Sequence, residues 1–579
     1  MNLKRSWYNF CMHVREEGWQ SVPPLLKVRL LALVSGKVKG EEAAMRREET
    51  ERYQAWLKAQ EPDGQEKQRQ KAAVFSHRVS FLIPTYNTNP QLLSALVDSF
   101  LAQTNDAWEA CFYDGNSPKQ ETKAMLAQQA KRDPRIRVEL GTENGGISAN
   151  TNKALAMAQG DIVALVDHDD LICCDTVYQL LKAAEEGADF IYSDEDKCND
   201  DGSLFFEPHF KPDFAPDALR NGNYICHIMA MKRELMEQVG GLRPAYDGSQ
   251  DHDLALRATE KAKKIVHIKK VLYHWRMVST SFSHQAIVRC MDSATRAVDD
   301  QLSRLGMQGT TEMFQLRPRI RYHIDRDETI TLMVMAHDAG RLQGWLNTLH
   351  RRTERAMSEV IIIADTDKTF RYGGRECRAI RPEGNRYAAM NRAAKQAAGK
   401  YIITLEQGVK PLSKRWVDEM QMYARRPDVG CVGTALMGPK NRYRHCGYAV
   451  HDEGVLSYMS GAFVYGRVYM LWDRITRNVA AVSACAMMMD REKFLSAGGF
   501  GAYDDEMAAA ALGVTLREQG FLNVFTPYAK MNDKGESFCP AYMTGESYNR
   551  LMAQHPGFQD IYYNPALDRR DGCMVLDRK

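Results

Sequence analysis

The sequence predicts an α/β protein with two doubly wound domains in tandem, preceded by a helical N-terminal segment. Three observations carry this reading. From Val79 onward, short β-prone runs alternate with helical periodicity, which implies a mostly parallel sheet. The polar clusters fall at the C-terminal ends of those runs, where open α/β sheets bind ligands. The same order of elements then returns in the second half of the chain, as in an internal repeat. At 579 residues, 44% hydrophobic and 26% charged, the chain is long enough and apolar enough for several globular cores. Lys and Arg number 77 against 74 Asp and Glu, so the net charge of +3 offers no overall basic field for nucleic acid. Thirteen cysteines without a C-x-x-C pair read as free thiols in a reducing compartment.

Residues 1–77 read as a helical arm followed by a linker. No secretory signal is evident, and the longest apolar run there, Leu30 to Val34, is far below the roughly 20 residues of a spanning helix. Residues 1–40 carry Lys4, Arg5, Arg15, Lys27, Arg29, Lys37 and Lys39 against Glu16 and Glu17. Such a stretch suits either an anionic lipid surface or a helical arm packed on the next domain. Residues 41–77 are charge-dense and read as exposed helix and linker.

The first domain is expected over 78–312. Val79–Ile83 is a β-prone run ended by Pro84; Asn89 and Pro90 then supply an N-cap and a first-turn proline. Leu92, Leu93, Leu96, Val97, Phe100 and Leu101 follow at helical spacing. Further strands are expected at Trp108–Tyr113, Ile136–Leu140 and Ile162–Val166, the last ending in Asp167-His168-Asp169-Asp170. The second domain, 328–579, repeats the order with a strand at Ile330–Met335, a helix at Leu342–Leu349 and a strand at Val360–Ala364. Asn152-Lys153-Ala154 matches Asn391-Arg392-Ala393, Gly160 matches Gly399, and Gly240-Gly241-Leu242 matches Gly498-Gly499-Phe500.

Asp167 and Asp169, two positions apart at a strand end, can both turn toward one hard cation, although most such pairs are solvated loop acids or caps. Asp253 suits the first turn of a helix electrostatically. Asp251, two residues earlier, is less well explained that way and is a candidate base. His274 is a candidate third metal ligand, and Arg276 a candidate holder of phosphate charge.

Pro84-Thr85-Tyr86-Asn87, Asp114, Asn144-Gly145-Gly146, Asp167 to Asp170, Asp251 and His274-Trp275-Arg276, in that order, resemble the family 2 inverting glycosyltransferases of the GT-A fold. The resemblance covers about 79–310. Tyr192-Ser193-Asp194-Glu195-Asp196-Lys197 and Phe210-Lys211-Pro212-Asp213 are similar to runs in bacterial enzymes that assemble O-antigen, capsule or rhamnose-rich polysaccharide. Tyr562-Tyr563-Asn564-Pro565 resembles the tail of two-copy members.

The resemblance implies a nucleotide-diphosphate sugar donor and a glycan or lipid-linked glycan acceptor. It implies that Pro84, Thr85, Tyr86, Asn87, Asp114, Asn144 and Gly145 bind the donor, with Asp167 on the ribose or the metal. Asp167, Asp169 and His274 would hold Mg2+ or Mn2+, Arg276 would face the diphosphate, and Asp251 would take the acceptor proton. Gln250 stands where the family usually has Glu, keeping the hydrogen bonding without the charge. A cytoplasmic protein at the inner face of the plasma membrane is the corresponding location.

Carried through the repeat, Asp167 to Asp170 fall on Glu406-Gln407-Gly408-Val409. Gln250, Asp251 and Asp253 fall on Ala508, Ala509 and Ala511, and His274 on Asn532. One working site in the first copy is therefore expected. A shifted second site built from Asp504, Asp505 and Glu506 would instead make a bifunctional polymerase. A non-catalytic scaffold has no use for the acids of the first copy. A nucleotidyltransferase would want a Gly-rich basic loop after the first strand, which Pro84-Thr85-Tyr86-Asn87 is not.

Overall fold

The computed structural model describes residues 36–277, 287–464, 469–535, 537–570, 572 and 576. They form two compact units: one comprises 36–214 and 222–320, the other 215–221 and the described residues from 321 on.

The first unit is built on strands β1 (Val79–Thr85), β2 (Trp108–Asp114), β3 (Ile136–Leu140), β4 (Ile162–Leu165), β5 (Leu171–Ile172), β6 (Phe190–Cys198), β7 (Phe205–His209), β8 (Met229–Lys232) and β9 (Ile265–Arg276). They lie in the order β3-β2-β1-β4-β8-β6-β9-β5, with β7 on β6. The four strands β3-β2-β1-β4 are parallel, as the sequence leads one to expect. Beyond them the sheet is mixed, because β8 runs antiparallel to both β4 and β6. Helix Pro90–Leu101 begins as expected: Asn89 accepts the Gln91 N–H at 2.8 Å, and Leu93, Leu96, Val97 and Phe100 are buried against Phe81, Ile83 and Trp108.

The sheet of the second unit has the same order. Arg378–Ile380, Glu359–Ile363, Ile330–Met335, Tyr401–Glu406, Ala486–Asp490, Val429–Met437, Leu522–Asn532 and Lys410–Pro411 follow one another, with the antiparallel strand again in the fifth place.

The repeat extends to single hydrogen bonds. Asn152 donates to the Leu242 carbonyl at 2.8 Å and accepts the Leu242 N–H at 3.0 Å; Asn391 does the same to Phe500 at 2.7 and 2.9 Å. The glycine before each partner has φ of 64° or 70°, and a Cβ there would stand 2.6 Å (Gly241) or 2.4 Å (Gly499) from the asparagine Oδ1. Likewise Ser80 donates to Glu109 and accepts the Gly160 N–H, while Thr331 donates to Glu359 and accepts the Gly399 N–H. These pairings lock the turn before the fourth strand to the first and second strands of each sheet.

Two segments differ from the sequence reading. Helices Gly36–Ala59 and Gly64–Ala72 belong to the first unit rather than to a free linker. Buried Tyr53 donates to Asp196 at 2.6 Å, and Trp56 meets Phe210 edge-on at 5.1 Å. Gln70 takes the Thr104 hydroxyl at 2.7 Å. Helix Pro216–Asn221, inside the expected 78–312, groups with the second unit. There Asp217 is buried between Arg426 and Asn478, which donates to it at 2.8 Å. The basic stretch 1–40 lies outside the described residues apart from the helix that starts at Gly36. Among the described residues no helix is long and apolar enough to cross a membrane, and the described cysteines are free thiols.

The second unit also buries a carboxyl group. Glu506 accepts the Ser483 hydroxyl at 2.6 Å, the Ala484 N–H at 2.7 Å and the Tyr387 hydroxyl at 2.6 Å. Burial pushes it up to about 8, against the opposing pull of those hydrogen bonds.

Two outcomes are expected. Gly241→Ala and Gly499→Ala should each destabilise their own unit by about 1–3 kcal/mol, read as a lower melting temperature, because the left-handed turn is strained by any Cβ. Between the ordinary carboxyl value of 4.5 and about 8, folded Glu506 keeps a proton that the unfolded chain has lost. Stability should therefore fall as pH rises through that window, by at most about 1.4 kcal/mol per pH unit, and Glu506→Gln should flatten the pH dependence of melting.

Candidate active site

The loops after β1, β2 and β3 meet at the C-terminal edge of the parallel strands. Thr85 and Asp114 are paired in register. Asp114 is fully buried and its carboxylate is used locally: Ser117 donates its hydroxyl at 2.6 Å and its N–H at 2.8 Å. This side chain shapes the turn after β2. Pro84 is the penultimate residue of β1, and the Thr85 hydroxyl donates to the Tyr113 carbonyl at 3.2 Å. Asn87 has φ of 54°, and its N–H donates to the Ser117 hydroxyl at 2.8 Å, which leaves the Tyr86 ring 44% exposed above the edge. Asn144 accepts the Gly146 N–H at 3.1 Å and the Asn150 amide at 3.0 Å. A Cβ at Gly115 would stand 2.3 Å from that amide, and one at Gly145 2.8 Å from the Ala149 Cβ, so side chains pack directly on the glycine backbone here. Asp247 closes this side, accepting the Ser148 hydroxyl at the start of helix Ile147–Met157.

At the end of β4 the structure gathers Asp167, Asp170 and His227, one ligand atom of each lying within 4.8 Å of the others. Nε2 of His227 is 3.9 Å from an Asp167 oxygen. Burial, reinforced by the neighbouring carboxylates, raises Asp167 and lifts Asp170 well above the usual range. Asp169 flanks the group with its side chain about one-quarter exposed and the His168 Nδ1 3.7 Å away.

His274, expected as the third ligand, does not join this group. Its Nδ1 lies 2.5 Å from Asp196 and its Nε2 3.2 Å from the Cys173 sulfur, so both ring nitrogens are engaged. Its strand register turns it toward β5 and β6, and His227 occupies the expected place. Arg276 also differs from expectation. It is 2% exposed, and its guanidinium donates to the Asp169 and Asp200 carbonyls, each at 2.6 Å, while its N–H donates to Asp170 at 2.7 Å. It braces the acidic turn from behind instead of facing a diphosphate.

Asp251 sits in the first turn of helix Gln250–Lys261, half-buried, where the helix dipole favours its charge. Asn223 donates to its Oδ2 at 2.8 Å, and the Asn223 oxygen accepts the Cys226 N–H at 3.2 Å, which fixes the amide's orientation. Through Asn223 the first turn of this helix is tied to the loop that carries His227. Gln250 accepts the Gly248 N–H at 2.9 Å. Asp253 is buried and held by Arg243 and by Arg257 at 2.7 Å, which lower it despite burial; its role is to anchor the helix.

The run Asp194-Glu195-Asp196 on β6 is buried throughout. Asp194 accepts the Lys211 N–H at 2.7 Å and meets His267 at 2.9 Å. Glu195 accepts the His227 N–H at 2.8 Å and lies 3.4 Å from the Lys211 ammonium. Burial would raise it; Lys211 and His209 overcome that and hold it at about 2.

In the second unit the corresponding edge is filled by its own side chains. Buried Glu406 accepts the Cys485 thiol at 2.9 Å and the Phe538 N–H at 3.2 Å, with Arg386 3.4 Å away. Ala508, Ala509 and Ala511 are buried. Asp504, Asp505 and Glu506 do not converge: Asp504 takes the Asn385 amide at 2.6 Å, Asp505 the Met507 N–H at 3.0 Å, and Glu506 points into the core network.

His227, Asn223, Tyr273 and Asp247 were not legible as site residues in the sequence. His227 and Asn223 lie in the run Asn221-Gly222-Asn223-Tyr224-Ile225-Cys226-His227, which has no chemical spacing of its own. Tyr273 adjoins His274, and only the register of β9 tells which of the two faces the acids.

Residues 80–240 match the family model described as glycosyl transferase family 2. The protein y4gI of Sinorhizobium fredii, itself uncharacterized, is 30% identical over 537 residues, covering 86% of this chain and 59% of that one. The O-antigen biosynthesis protein RfbC of Myxococcus xanthus is 28% identical over 545 residues, 89% of this chain and 42% of that one. A hyaluronan synthase of Pasteurella multocida is 27% identical over 198 residues, 34% of this chain and 20% of that one. The chain thus spans about half the length of the first two relatives. Residues 80–240 thus carry a family 2 glycosyltransferase domain.

Proposed function

We propose that the first unit transfers a sugar from a nucleoside-diphosphate donor to a hydroxyl of a growing cell-surface glycan, with inversion and from a single working site. The observation that carries this reading is the gathering of Asp167, Asp170 and His227 at the end of β4, with Asp251 tied through Asn223 to the loop that carries His227. The names of the O-antigen and hyaluronan relatives support a polysaccharide product.

In this reading the exposed Tyr86 ring and the turns fixed by Asp114, Asn144 and Gly145 receive the nucleotide. Asp251 accepts the proton of the acceptor hydroxyl, whose oxygen bonds to the anomeric carbon on the face opposite the diphosphate. The bond from that carbon to the diphosphate oxygen breaks, and its electron pair leaves with the diphosphate. One displacement inverts the centre. An alcohol needs such a base near neutral pH, and a positioned carboxylate supplies roughly 10²–10⁴-fold. Two carboxylates and an imidazole suit Mg2+ or Mn2+, and Asp167, Asp170 and His227 would hold it, with Asp169 alongside. Such a cation supplies electrostatic stabilisation of charge on the leaving diphosphate.

The second unit keeps the framework but has alanines in place of the base and a Glu406 already engaged by Cys485 and Phe538, which favours a packing or acceptor-binding role over a bifunctional polymerase. Residues 1–40 are proposed to touch the anionic inner face of the plasma membrane, near a lipid-linked acceptor.

A panel of UDP-, GDP- and dTDP-hexoses, read by released nucleoside diphosphate, tests the donor class. Chelation should abolish release, and Mn2+ or Mg2+ should restore it; full activity in chelator refutes the metal. Asp251→Asn should lower turnover roughly 10²–10⁴-fold with donor affinity nearly unchanged, whereas Glu406→Gln should leave turnover near normal. Loss of one of two distinct linkages in Glu406→Gln would show the second unit to be an enzyme.

A further inference from the structure

Tyr273 stands behind the Asp167, Asp170 and His227 group, fully buried on β9. Its hydroxyl donates to an Asp170 oxygen at 2.6 Å and accepts the Asp167 N–H at 3.1 Å. Its ring lies against the His227 imidazole, with centroids 4.6 Å apart and planes 16° from parallel. One side chain therefore touches all three members. The other Asp170 oxygen is fixed by the Arg276 N–H at 2.7 Å, and the His227 backbone N–H by Glu195 at 2.8 Å. His227 Nδ1 is buried without a hydrogen-bond partner, while Nε2 points toward Asp167. The imidazole is thus aimed by stacking and by its backbone, with no hydrogen bond to its second nitrogen.

We infer that Tyr273 is the positioning residue of the cation group, setting the Asp167 backbone, the Asp170 carboxylate and the His227 ring at one distance from a common point. This rests on the proposed reading of Asp167, Asp170 and His227 as cation ligands. Ligands held by such outer partners bind metal more tightly because less ordering is left to be done on binding, and loss of a partner typically weakens affinity about 10–100-fold. Tyr273→Phe keeps the ring against His227 and removes both hydroxyl contacts. It leaves one Asp170 oxygen and the Asp167 N–H unpaired while touching neither the donor turns nor Asp251.

The test is Mn2+ binding to the full chain, followed by the electron paramagnetic resonance of free Mn2+, with no donor or acceptor present. Wild-type protein should bind Mn2+ with a nitrogen coupling from an imidazole, and His227→Ala should lose that coupling. Tyr273→Phe should keep the coupling but bind about tenfold more weakly, with an unchanged far-ultraviolet dichroism spectrum. Tyr273→His, which keeps a ring and a donor edge, is the second variant if the first does not fold, and should show an intermediate loss. Mn2+ affinity within twofold of wild type in Tyr273→Phe, while Asp167→Asn loses it, would overturn the positioning role and leave the ligand reading intact. Unchanged affinity in Asp167→Asn would instead remove the ligand reading itself, and this inference with it.

Discussion

Three consecutive carboxylates, Asp194, Glu195 and Asp196, are buried on β6, and a buried charge persists only where it is paired. Much of the first unit is arranged to meet that requirement. Asp194 is satisfied by Lys211 and His267, Glu195 by Lys211, His209 and the backbone of His227, and Asp196 by Tyr53 and His274. The register of β6 against β9 shifts at Ser193/Asp194 and again at Asp194/Glu195, and the acids reach different elements. Asp196 holds the N-terminal helix through Tyr53, and Glu195 fixes the loop that brings His227 to the end of β4. The acidic run thus works as structure whose products are the position of a helix and of an imidazole.

This explains which parts of the site could be read in advance. The strands β1 to β4, the helix capped by Asn89 and the repeated glycine pairs follow from local periodicity and turn chemistry, which the chain states residue by residue. Asp167, Asp169 and Asp251 stood out through their order along the chain and the family resemblance, since most acids at strand and helix ends are only loop acids or caps. His274 was a candidate ligand from its place after a strand and the resemblance of His274-Trp275-Arg276, yet register decides such questions. On β9, Leu171 and Asp196 flank His274, and its two nitrogens go to Asp196 and Cys173. Its neighbour Tyr273 faces the other way and meets the acids. His227 came from a loop whose path depends on Glu195, a long-range pairing with no local signature.

The two copies show what such a framework requires and what it does not. The Asn152 and Asn391 clamps, and the Ser80 and Thr331 bridges, recur with nearly equal distances. At the strand edge the copies diverge, and each divergence has the same sign. Where the first unit gathers Asp167 and Asp170 with His227, the second buries Glu406 and Glu506 among thiol, hydroxyl and backbone donors. Burial raises both carboxyls against the pull of those donors and closes them to solvent. The same network packs the edge of the second sheet.

The first site crowds its acids instead. Asp167, Asp169 and Asp170 lie together at one end of β4, and the guanidinium of Arg276 spends its hydrogen bonds on the carbonyls of Asp169 and Asp200 rather than on a carboxylate. Burial, reinforced by the neighbouring carboxylates, raises Asp167 and Asp170, a cost the fold tolerates because Tyr273, Arg276 and Glu195 hold the geometry from behind. In the proposed reading a divalent cation would relieve that crowding and the donor diphosphate would balance its charge, with Asp251, whose Oδ2 is held by Asn223, turned to the acceptor.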